Sequence, residues 1–462
     1  MTEEFAEKAG RDDDAFALRR ERVREVLLAI NRGDTAGLGR LLDELHPADV
    51  ADLMEQVGDK TRHLLLRFWG RDIDGEILSE LDEGVRAEVI ELLPDEVLSE
   101  AVLDLESDDI VDLVEDLGKE QKDILLDALP ASERVAVEKA LSYPESSAGR
   151  LMQREVVRAP EHWTVGEAID YVREDAEQLP EQFYHVILVD PKMRPTGYVT
   201  LGKLMSMPRA RSLREVSEHS FRTVPVELDE AEVAYLFNQY HLISVPVVDA
   251  EERLVGVITI DDAMAVLDEE HEEDILLLAG VAEDSSLSDS ALETTKLRLP
   301  WLGVNLLTAI LASMVIALFE DVIGQVVALA VLMPIVASMG GNAGTQSLTV
   351  AVRAIATKDL TGSNVWRVVG RELVVGLLNG AAFAVVMGIV ALIWFGSGQI
   401  GLVIGLAMIV NMAVAALAGI LVPVMLEKLG VDPALASGTF VTTVTDVVGF
   451  FAFLGLASMV LL

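Results

Sequence analysis

The sequence predicts a multidomain membrane protein. We expect a solenoid-like (superhelical) α-helical domain at the N-terminus, tandem α/β domains, a connecting helix and a C-terminal transmembrane domain of five helices. Apolar stretches long enough to cross a bilayer occur only in the last third of the chain. Acidic residues concentrate ahead of them, and the residue pattern changes from helical to β–α near residue 151. The expected ranges are 1–150 for the helical domain, 151–210 and 211–270 for the α/β pair, 271–298 for the connecting helix and 299–462 for the membrane domain.

Charge is divided unevenly along the 462 residues, whose net charge is −40. From Leu299 onward there are five basic and seven acidic residues out of totals of 36 and 76, which leaves 31 and 69, a net of −38, in the preceding part. A field of this sign repels nucleic acid and attracts cations, so we expect no nucleic-acid partner. The absence of cysteine excludes disulfides and thiolate metal sites. The acidic N-terminus lacks an apolar run, so no cleavable signal peptide is expected.

Short amphipathic helices are predicted between about Glu21 and Gly149, with an internal repeat at an offset of 60 residues. Seven residues of the first copy are identical to the residues 60 positions later in the second copy. They are Asp49, Asp52, Leu53, Glu55, Gly58, Leu65 and Leu66, which correspond to Asp109, Asp112, Leu113, Glu115, Gly118, Leu125 and Leu126. Helical repeats of this kind bury their apolar faces by stacking on one another. Most of the acids are expected to form a solvated face.

From about Leu151 the chain shows a duplicated β–α pattern. In the first copy a buried strand at Val186–Asp190 is followed by a turn and a second strand from Gly197. The second copy has strands at 244–249 and 256–262, and a helix precedes each copy, at 165–176 and 230–240. The pattern predicts two small α/β domains of the same topology.

A run of six acids in seven residues, 268–274, follows the second copy. Two interpretations remain open. The run is a solvated helix, or a divalent cation relieves the repulsion that like charges three and four residues apart impose on a helix.

Five stretches are apolar and long enough to span a bilayer. They are roughly Leu299–Phe319, Ile323–Gly341, Leu373–Phe395, Ile400–Leu426 and Ala434–Leu461. Basic residues lie only in alternate connections: Lys296, Arg298, Arg353, Lys358, Arg367, Arg371 and Lys428. The positive-inside rule then predicts a cytoplasmic N-terminal region, a C-terminus outside, and a multi-pass protein of the cell (inner) membrane.

One carboxylate, Asp446, lies deep in the fifth predicted span. Asp432 and Pro433 form the helix start, and Asp446 follows about 20 Å along the helix. No base lies in any predicted span to pair with it, and such a carboxylate usually faces a water-filled path or an ion. Thr439 and Thr442 share its helical face, and this set of oxygen ligands suits a hard cation. A protonated aspartic acid hydrogen-bonded within the bundle is the structural alternative.

A second unusual stretch, Gly340–Gln346, ends the second predicted span. Its three glycines, Asn342 and Gln346 do not predict a stable lipid-facing helix. Irregular backbone at this depth is tolerated where it lines a cavity, so we expect Asn342 to line a pore. A helix C-cap followed by a polar loop is the competing interpretation.

Magnesium fits these ligands, because it retains its waters and is commonly held by one or two carboxylates. A single aspartate per chain supplies only one charged ligand to a pore. A symmetric homodimer would bring two copies of Asp446 to one axis.

The order of parts resembles the MgtE family of magnesium transporters over nearly the whole chain. Three motifs carry the resemblance: 143–152 (YPESSAGRLM), 340–346 (GGNAGTQ) and 433–446 (PALASG through TTVTD). The α/β pair resembles tandem CBS domains, which bind adenine nucleotides or act as scaffolds. In these domains a Thr and an Asp three residues later commonly hold a ribose. Thr259 and Asp262 match, whereas the first copy has Thr200 and Lys203.

The resemblance implies a homodimeric Mg²⁺-selective pore that imports magnesium and that cytoplasmic Mg²⁺ closes. Asp446 would recognise hydrated Mg²⁺, and the acids that bind regulatory Mg²⁺ would include Asp108, Asp109, Asp112, Asp262, Glu270, Glu273, Asp274 and Asp432. ATP or another adenine nucleotide is a candidate ligand of the CBS pair. Transport of another divalent cation (Co²⁺ or Ca²⁺) and a nucleotide-responsive membrane sensor or scaffold remain open. The sequence has no nucleophile–base pair, Walker loop or dinucleotide fingerprint, so we expect no enzyme.

Overall fold

The structure is a computed structural model that describes residues 20–462 except 104, 116, 175–178, 181–182, 219–220, 283–284 and 286–290. The chain divides into two compact units, Met1–Asp268 and Glu269–Leu462. The first unit contains the helical domain and the α/β pair. The second contains the end of the connecting segment and the membrane helices.

The helical domain is a succession of short helices around one apolar core. Its helices are α1 (Arg20–Arg32), α2 (Thr35–Leu42), α3 (Pro47–Gln56), α4 (Asp59–Trp69), α5 (Gly75–Ser79), α6 (Glu83–Leu92), α7 (Asp95–Ala101), α8 (Ser107–Glu115), α9 (Lys119–Ala128), α10 (Ala131–Ala140) and α11 (Ala148–Leu151). The predicted repeat corresponds to the pairs α3–α4 and α8–α9. Gly58 and Gly118 each precede the second helix of a pair in extended conformation, and Leu65 and Leu125 are fully buried.

Buried arginines join neighbouring helices of this domain. Arg62, 2% exposed, donates to the carbonyls of Met54 at 2.9 Å and Val57 at 3.2 Å and pairs with Glu88. Arg86, also buried, pairs with Asp112. Through these ion pairs Glu88 and Asp112, an acid of the repeat, take part in the packing and do not simply form a solvated face.

The two α/β domains have the same topology, which confirms the predicted duplication. Each has a three-stranded sheet in which the first strand pairs in parallel with the second, and the second pairs antiparallel with the third. The first contains β1 (Arg158–Pro160), α12 (Val165–Glu174), β2 (His185–Val189), β3 (Pro195–Thr200), α13 (Leu201–Ser206) and α14 (Leu213–Val216). The second contains β4 (Val224–Pro225), α15 (Glu230–Tyr240), β5 (Ser244–Val248), β6 (Leu254–Thr259) and α16 (Ile260–Leu278).

The acidic run 268–274 lies within α16, so it forms helix despite its like charges. The prediction of one connecting helix over 271–298 is wrong. The helix begins earlier, at Ile260, and ends at Leu278 because Gly280 adopts φ +74°. The N–H of Val281 then bonds to the carbonyl of Leu276, which is the Schellman arrangement at a helix C-terminus.

Among the residues that the structure describes, five helices are long and apolar enough to cross a membrane, as predicted. These helices are α17 (Ala291–Ala317), α19 (Ala328–Ala356), α20 (Val365–Phe395), α21 (Gly398–Lys428) and α22 (Pro433–Leu461). A short helix, α18 (Glu320–Gln325), lies between the first two. Helix α21 is the most buried of them, and α17 the least.

The expectation that Gly340–Gln346 is irregular, or a helix C-cap and loop, is wrong. Helix α19 runs without interruption through this stretch to Ala356. The reason is helix packing: a Cβ on Gly344 would lie 2.5 Å from Val441 Cγ1, so α19 and α22 approach too closely for any side chain there. These glycines are therefore interfacial and do not break the helix.

Candidate functional site

Asp446 lies within α22 and is half-buried. It is 14 residues from the N-cap residue Asp432, about 21 Å along the helix at 1.5 Å per residue. Among the described residues, no hydrogen bond or ion pair is seen for its carboxylate. A carboxylate in this position is costly unless it faces water or a cation. The structural alternative, an aspartic acid hydrogen-bonded within the bundle, gains no support from the described contacts.

Threonine hydroxyls next to Asp446 donate to backbone carbonyls of their own helix. Thr442 Oγ1 lies 2.9 Å from the carbonyl of Gly438, and Thr445 Oγ1 lies 2.9 Å from that of Thr442. Thr439 instead donates to Asn305 Oδ1 of α17 at 2.9 Å, a partner that the residue pattern did not predict. A hydroxyl whose proton is used in this way presents only its lone pairs to other partners. The half-buried Thr439 and Thr442 thus offer acceptors, as a hydrated cation requires.

Helix α19 carries a polar stripe next to this face. Asn342, Thr345, Gln346 and Thr349 are all exposed in the single chain, and their spacings of three, four and seven residues put them on one side of the helix. A Cβ on Gly341 would lie 3.8 Å from Thr442 Cγ2, so the stripe adjoins α22. An exposed polar stripe on a membrane helix indicates that water or another protein surface covers it. The structure thus brings this side of α19 next to Thr442, a predicted pore-lining residue of α22.

The end of α16 packs against the N-terminal end of α22. Leu277 is 4% exposed and lies in one apolar cluster with Leu348 of α19 and with Ala434 and Val441 of α22. Asp432, the N-cap residue of α22, accepts a hydrogen bond from the Ala434 N–H at 2.5 Å.

Asp274 lies in the same region. Burial raises its pKa, and the negative charge of Asp432 raises it further. Two predicted cation-binding acids are therefore close together at this end of the membrane helices.

A second acidic group lies within the first unit, where α8 meets the second α/β domain. Ser107 donates to Glu155 at 2.8 Å, and the N–H of Arg154 donates to Ser107 Oγ at 2.8 Å. Gln153 bonds to Glu106. These contacts hold α8 against the strand β6 region, because Gln153 also forms a β-bridge with Val257.

Burial and mutual repulsion raise the pKa values of the acids in this group. The pKa of Asp109 is raised to about 7, first by burial and then by Asp262. The pKa of Glu106 is also raised to about 7, by burial and then by Glu155. For Asp262 the pKa is raised to about 6, and for the buried Asp108 it is raised by burial and then by Asp262. These carboxylates lack enough positive charge to balance them, so a divalent cation would lower the electrostatic free energy.

The other predicted cation-binding acids differ in their surroundings. Asp112 is committed to its ion pair with Arg86. Glu270 is exposed on α16, and Glu273 is half-exposed one turn further on. Within the described part of the chain, no three acidic or histidine side chains are arranged closely enough to hold a metal ion together.

Sequence reasoning missed Glu106, Glu155 and Asp261 as members of the acidic group. Asp261 and Glu106 adjoin predicted site residues, so proximity along the chain was the available signal. Glu155 had none, because its position depends on how the helical domain packs on the α/β pair. Glu372 of α20 was also missed; it is buried and accepts a hydrogen bond from Ser347 at 3.3 Å.

A pocket lies between the two α/β domains. It is lined by aromatic, aliphatic and polar groups: Gln153, Glu155, Val156, Val157, Phe183, Tyr184, His185, Ile187, Ser244, Val257 and Thr259. Thr259 Oγ1 donates to Asp262 at 2.7 Å, which orients the predicted ribose-binding pair. In the first copy, Lys203 instead pairs with Glu218 at 2.7 Å. Only the second copy has the expected acid.

Family models match most of the helical domain, both α/β domains and most of the membrane domain. Residues 333–456 match the MgtE family, described as divalent cation transporters. Residues 45–146 match the MgtE intracellular N domain, and residues 148–209 and 213–269 each match the CBS domain.

Individual relatives match over nearly full length. The magnesium transporter MgtE of Thermus thermophilus is 35% identical over 439 residues, which are 94% of this chain and 97% of that protein. The magnesium transporter MgtE of Bacillus subtilis is 29% identical over 95% of this chain and 97% of that protein. A crystal structure of the cytosolic domain of the Mg²⁺ channel MgtE in complex with ATP is 32% identical, covers 53% of this chain and 99% of that one, and has a TM-score of 0.49. The chain belongs to the MgtE family of magnesium transporters, which is a transporter class and not an enzyme class.

Proposed function

We propose that this protein is a Mg²⁺-selective pore that imports magnesium into the cytoplasm as a homodimer. The observation that carries the proposal is Asp446, a half-buried carboxylate in a membrane helix, beside hydroxyls that offer acceptors and a polar stripe on α19. The family gives the ion, and the ligand chemistry agrees with it: all of these groups are oxygen ligands. By the positive-inside rule, the basic connections favour a cytoplasmic N-terminal region and a C-terminus outside.

The incomplete pore lining of a single chain supports the proposal of a dimer. One carboxylate and one polar stripe make half of a lining, and a two-fold axis beside α19 and α22 would supply the other half. Mg²⁺ loses its inner-shell waters reluctantly. Recognition by Asp446 would therefore act through retained waters, for which the threonine lone pairs and Asn342 are suitable acceptors.

Cytoplasmic Mg²⁺ would close this pore. Glu106, Asp108, Asp109 and Asp262 repel one another without a cation, whereas bound Mg²⁺ would hold α8 against the α/β pair. Glu270, Glu273 and Asp274 lie on the helix whose end packs against α22. An ion that binds the closed arrangement more tightly shifts the population toward it. The expected behaviour is negative feedback.

The pore proposal is tested by Mg²⁺ uptake into liposomes that contain the purified protein and low internal Mg²⁺. Wild type is compared with Asp446→Ala, Asp446→Asn and the matched control Asp359→Asn, an acid in the loop between α19 and α20. We expect loss of uptake in both Asp446 variants and normal uptake in the control. Equal uptake by Asp446→Asn and wild type would remove Asp446 from the pathway. Competition by Co²⁺ and Ca²⁺ in the same assay determines the selectivity.

The gating proposal is tested by neutralising Glu270, Glu273 and Asp274 together. Currents through this variant should persist at cytoplasmic Mg²⁺ concentrations that close wild type. Unchanged inhibition would exclude these three residues as sensors.

A second proposed activity is binding of ATP or another adenine nucleotide in the pocket between the CBS domains. Phe183 and Tyr184 offer aromatic and apolar surface for a base, and Thr259 with Asp262 offers hydrogen-bonding groups for a ribose. Asp262 also faces the acidic group of α8, so nucleotide and Mg²⁺ would act on one carboxylate. Calorimetric titration of ATP tests this activity, and absence of binding to wild type would refute it.

A further inference from the structure

Asn411 is a buried polar residue in the middle of α21, the most enclosed membrane helix. Its side chain is 1% exposed. The amide Nδ2 donates to the carbonyl of Val336 in α19 at 2.8 Å. The amide oxygen Oδ1 is buried and has no hydrogen-bond partner among the residues that the structure describes. Leaving a buried carbonyl unsatisfied is costly, so a side chain retained in this state calls for an explanation.

Two glycines enclose the Asn411 amide from opposite helices. A Cβ on Gly340 of α19 would lie 2.8 Å from Asn411 Cγ, and a Cβ on Gly449 of α22 would lie 2.8 Å from Asn411 Nδ2. No side chain fits at either position without moving the amide. Asn411 therefore contacts both helices that carry the proposed pore lining. It is a polar spacer between them.

The position of this contact matters for the ion site. Gly340 is two residues before Asn342, and Gly449 is three residues, less than one turn, after Asp446. A change in the separation of α19 and α22 at Asn411 would therefore move Asn342 and Asp446 relative to each other. The hydrogen bond from Asn411 to Val336 joins α21 to α19 and fixes the position of α19 relative to α21 along the helix axis as well as across it.

We propose that Asn411 is a positioning residue that sets the spacing of α19 and α22 and, through it, the affinity and selectivity of the ion site at Asp446. The inference rests on the proposed function for its consequence, but the spacing itself does not depend on transport. When a side chain that orients metal-binding residues is removed, the affinity for the metal commonly falls about tenfold or more.

The test compares Asn411→Ala and Gly449→Ala, the double variant Asn411→Ala/Gly449→Ala, and the control Met412→Ala. Met412 is as buried as Asn411 but lies against Gly380 of α20, away from the polar stripe. In liposome uptake we expect the KM for Mg²⁺ to rise about tenfold in Asn411→Ala and in Gly449→Ala. In the double variant the new methyl group occupies space that the amide vacates, so thermal stability should recover relative to Gly449→Ala. The control should lose thermal stability and keep the wild-type KM and Co²⁺ competition.

Spin labels give a readout that needs no transport. The chain has no cysteine, so Val350→Cys and Phe440→Cys, at exposed positions of α19 and α22, can be labelled specifically. The distance between the labels should shift in Asn411→Ala and not in Met412→Ala. If it does not shift, or if wild type transports Mg²⁺ and Asn411→Ala only loses stability as the control does, the inference is overturned. If wild type transports no Mg²⁺ while the distance shifts, the proposed function fails and the spacing role stands.

Discussion

Replacing Asp109 with asparagine should stabilise α8 in the absence of Mg²⁺. Asp109 is half-buried at the first turn of α8 and faces Asp262, Asp112, Glu80 and Asp261, all of which are negative when ionised. Its pKa is raised from an ordinary value of 3.8 to about 7, first by burial and then by Asp262. The folded protein therefore binds more protons than the unfolded chain between these two values. By linkage, the contribution of Asp109 to the free energy of unfolding falls as pH rises from 3.8 to about 7, and it is lowest above pH 7.

The size of the effect follows from the same shift. One pKa unit corresponds to about 1.4 kcal/mol, so a charged Asp109 above pH 7 costs at most about 4.5 kcal/mol. Water reaches part of the side chain and screens it, and we expect about half of that, ~2 kcal/mol. This corresponds to about a 30-fold change in the local opening equilibrium of α8.

Hydrogen exchange on the full-length protein measures this equilibrium at α8. At pH 8 without Mg²⁺, Asp109→Asn should exchange about 30-fold more slowly than wild type in peptides from 107–115. The exposed control Asp123→Asn on α9 should match wild type. Wild type should gain protection when Mg²⁺ is added or when pH falls toward 5, and the variant should gain less. Faster or unchanged exchange in Asp109→Asn would refute the account of the acidic group as a set of unbalanced charges.

Three further predictions concern packing and the nucleotide pocket. Arg62→Ala should destabilise the helical domain by about 3–5 kcal/mol in chemical denaturation, because it leaves Glu88 and two buried carbonyls without their partner. The control Arg67→Ala, at an exposed position, should have little effect in the same measurement. Gly344→Ala should cost about 1–3 kcal/mol, seen as a lower thermal midpoint in detergent, because the new methyl group would meet Val441; Gly362→Ala, which meets nothing within 4 Å, should not. Phe183→Ala should weaken ATP binding about tenfold in calorimetry, because Phe183 lines the pocket. The control Lys203→Ala should leave ATP binding unchanged, since Lys203 is paired with Glu218 in the first domain. Equal losses of affinity in the two variants would refute the assignment of the pocket.

The sequence predicted best those features that depend on local pattern. Five spans follow from runs of apolar residues, and Asp446 stands out because charge inside a span is rare. The duplicated strands around Val186 and Val245 follow from β-branched runs bounded by turns. The pairing of Thr259 with Asp262 is likewise a contact between near neighbours in the chain.

Features that depend on tertiary packing were predicted poorly. By local pattern Gly340 and Gly344 predict a break in the helix, as they would in water, but in the bundle they allow close contact with α21 and α22. Asn411 lies alone in an apolar run, and its role depends on two helices distant in sequence. The acidic group combines residues from α8, the segment before β1 and α16, so Glu155 had no local signal.

The most direct test of the whole account is a patch recording in which Mg²⁺ is the only permeant cation and its cytoplasmic concentration is varied. For wild type we predict inward Mg²⁺ current at low cytoplasmic Mg²⁺ that disappears as cytoplasmic Mg²⁺ rises. For Asp446→Asn, folded and inserted as wild type, we predict no Mg²⁺ current at any concentration. A Mg²⁺ current through Asp446→Asn equal to that of wild type would contradict the account.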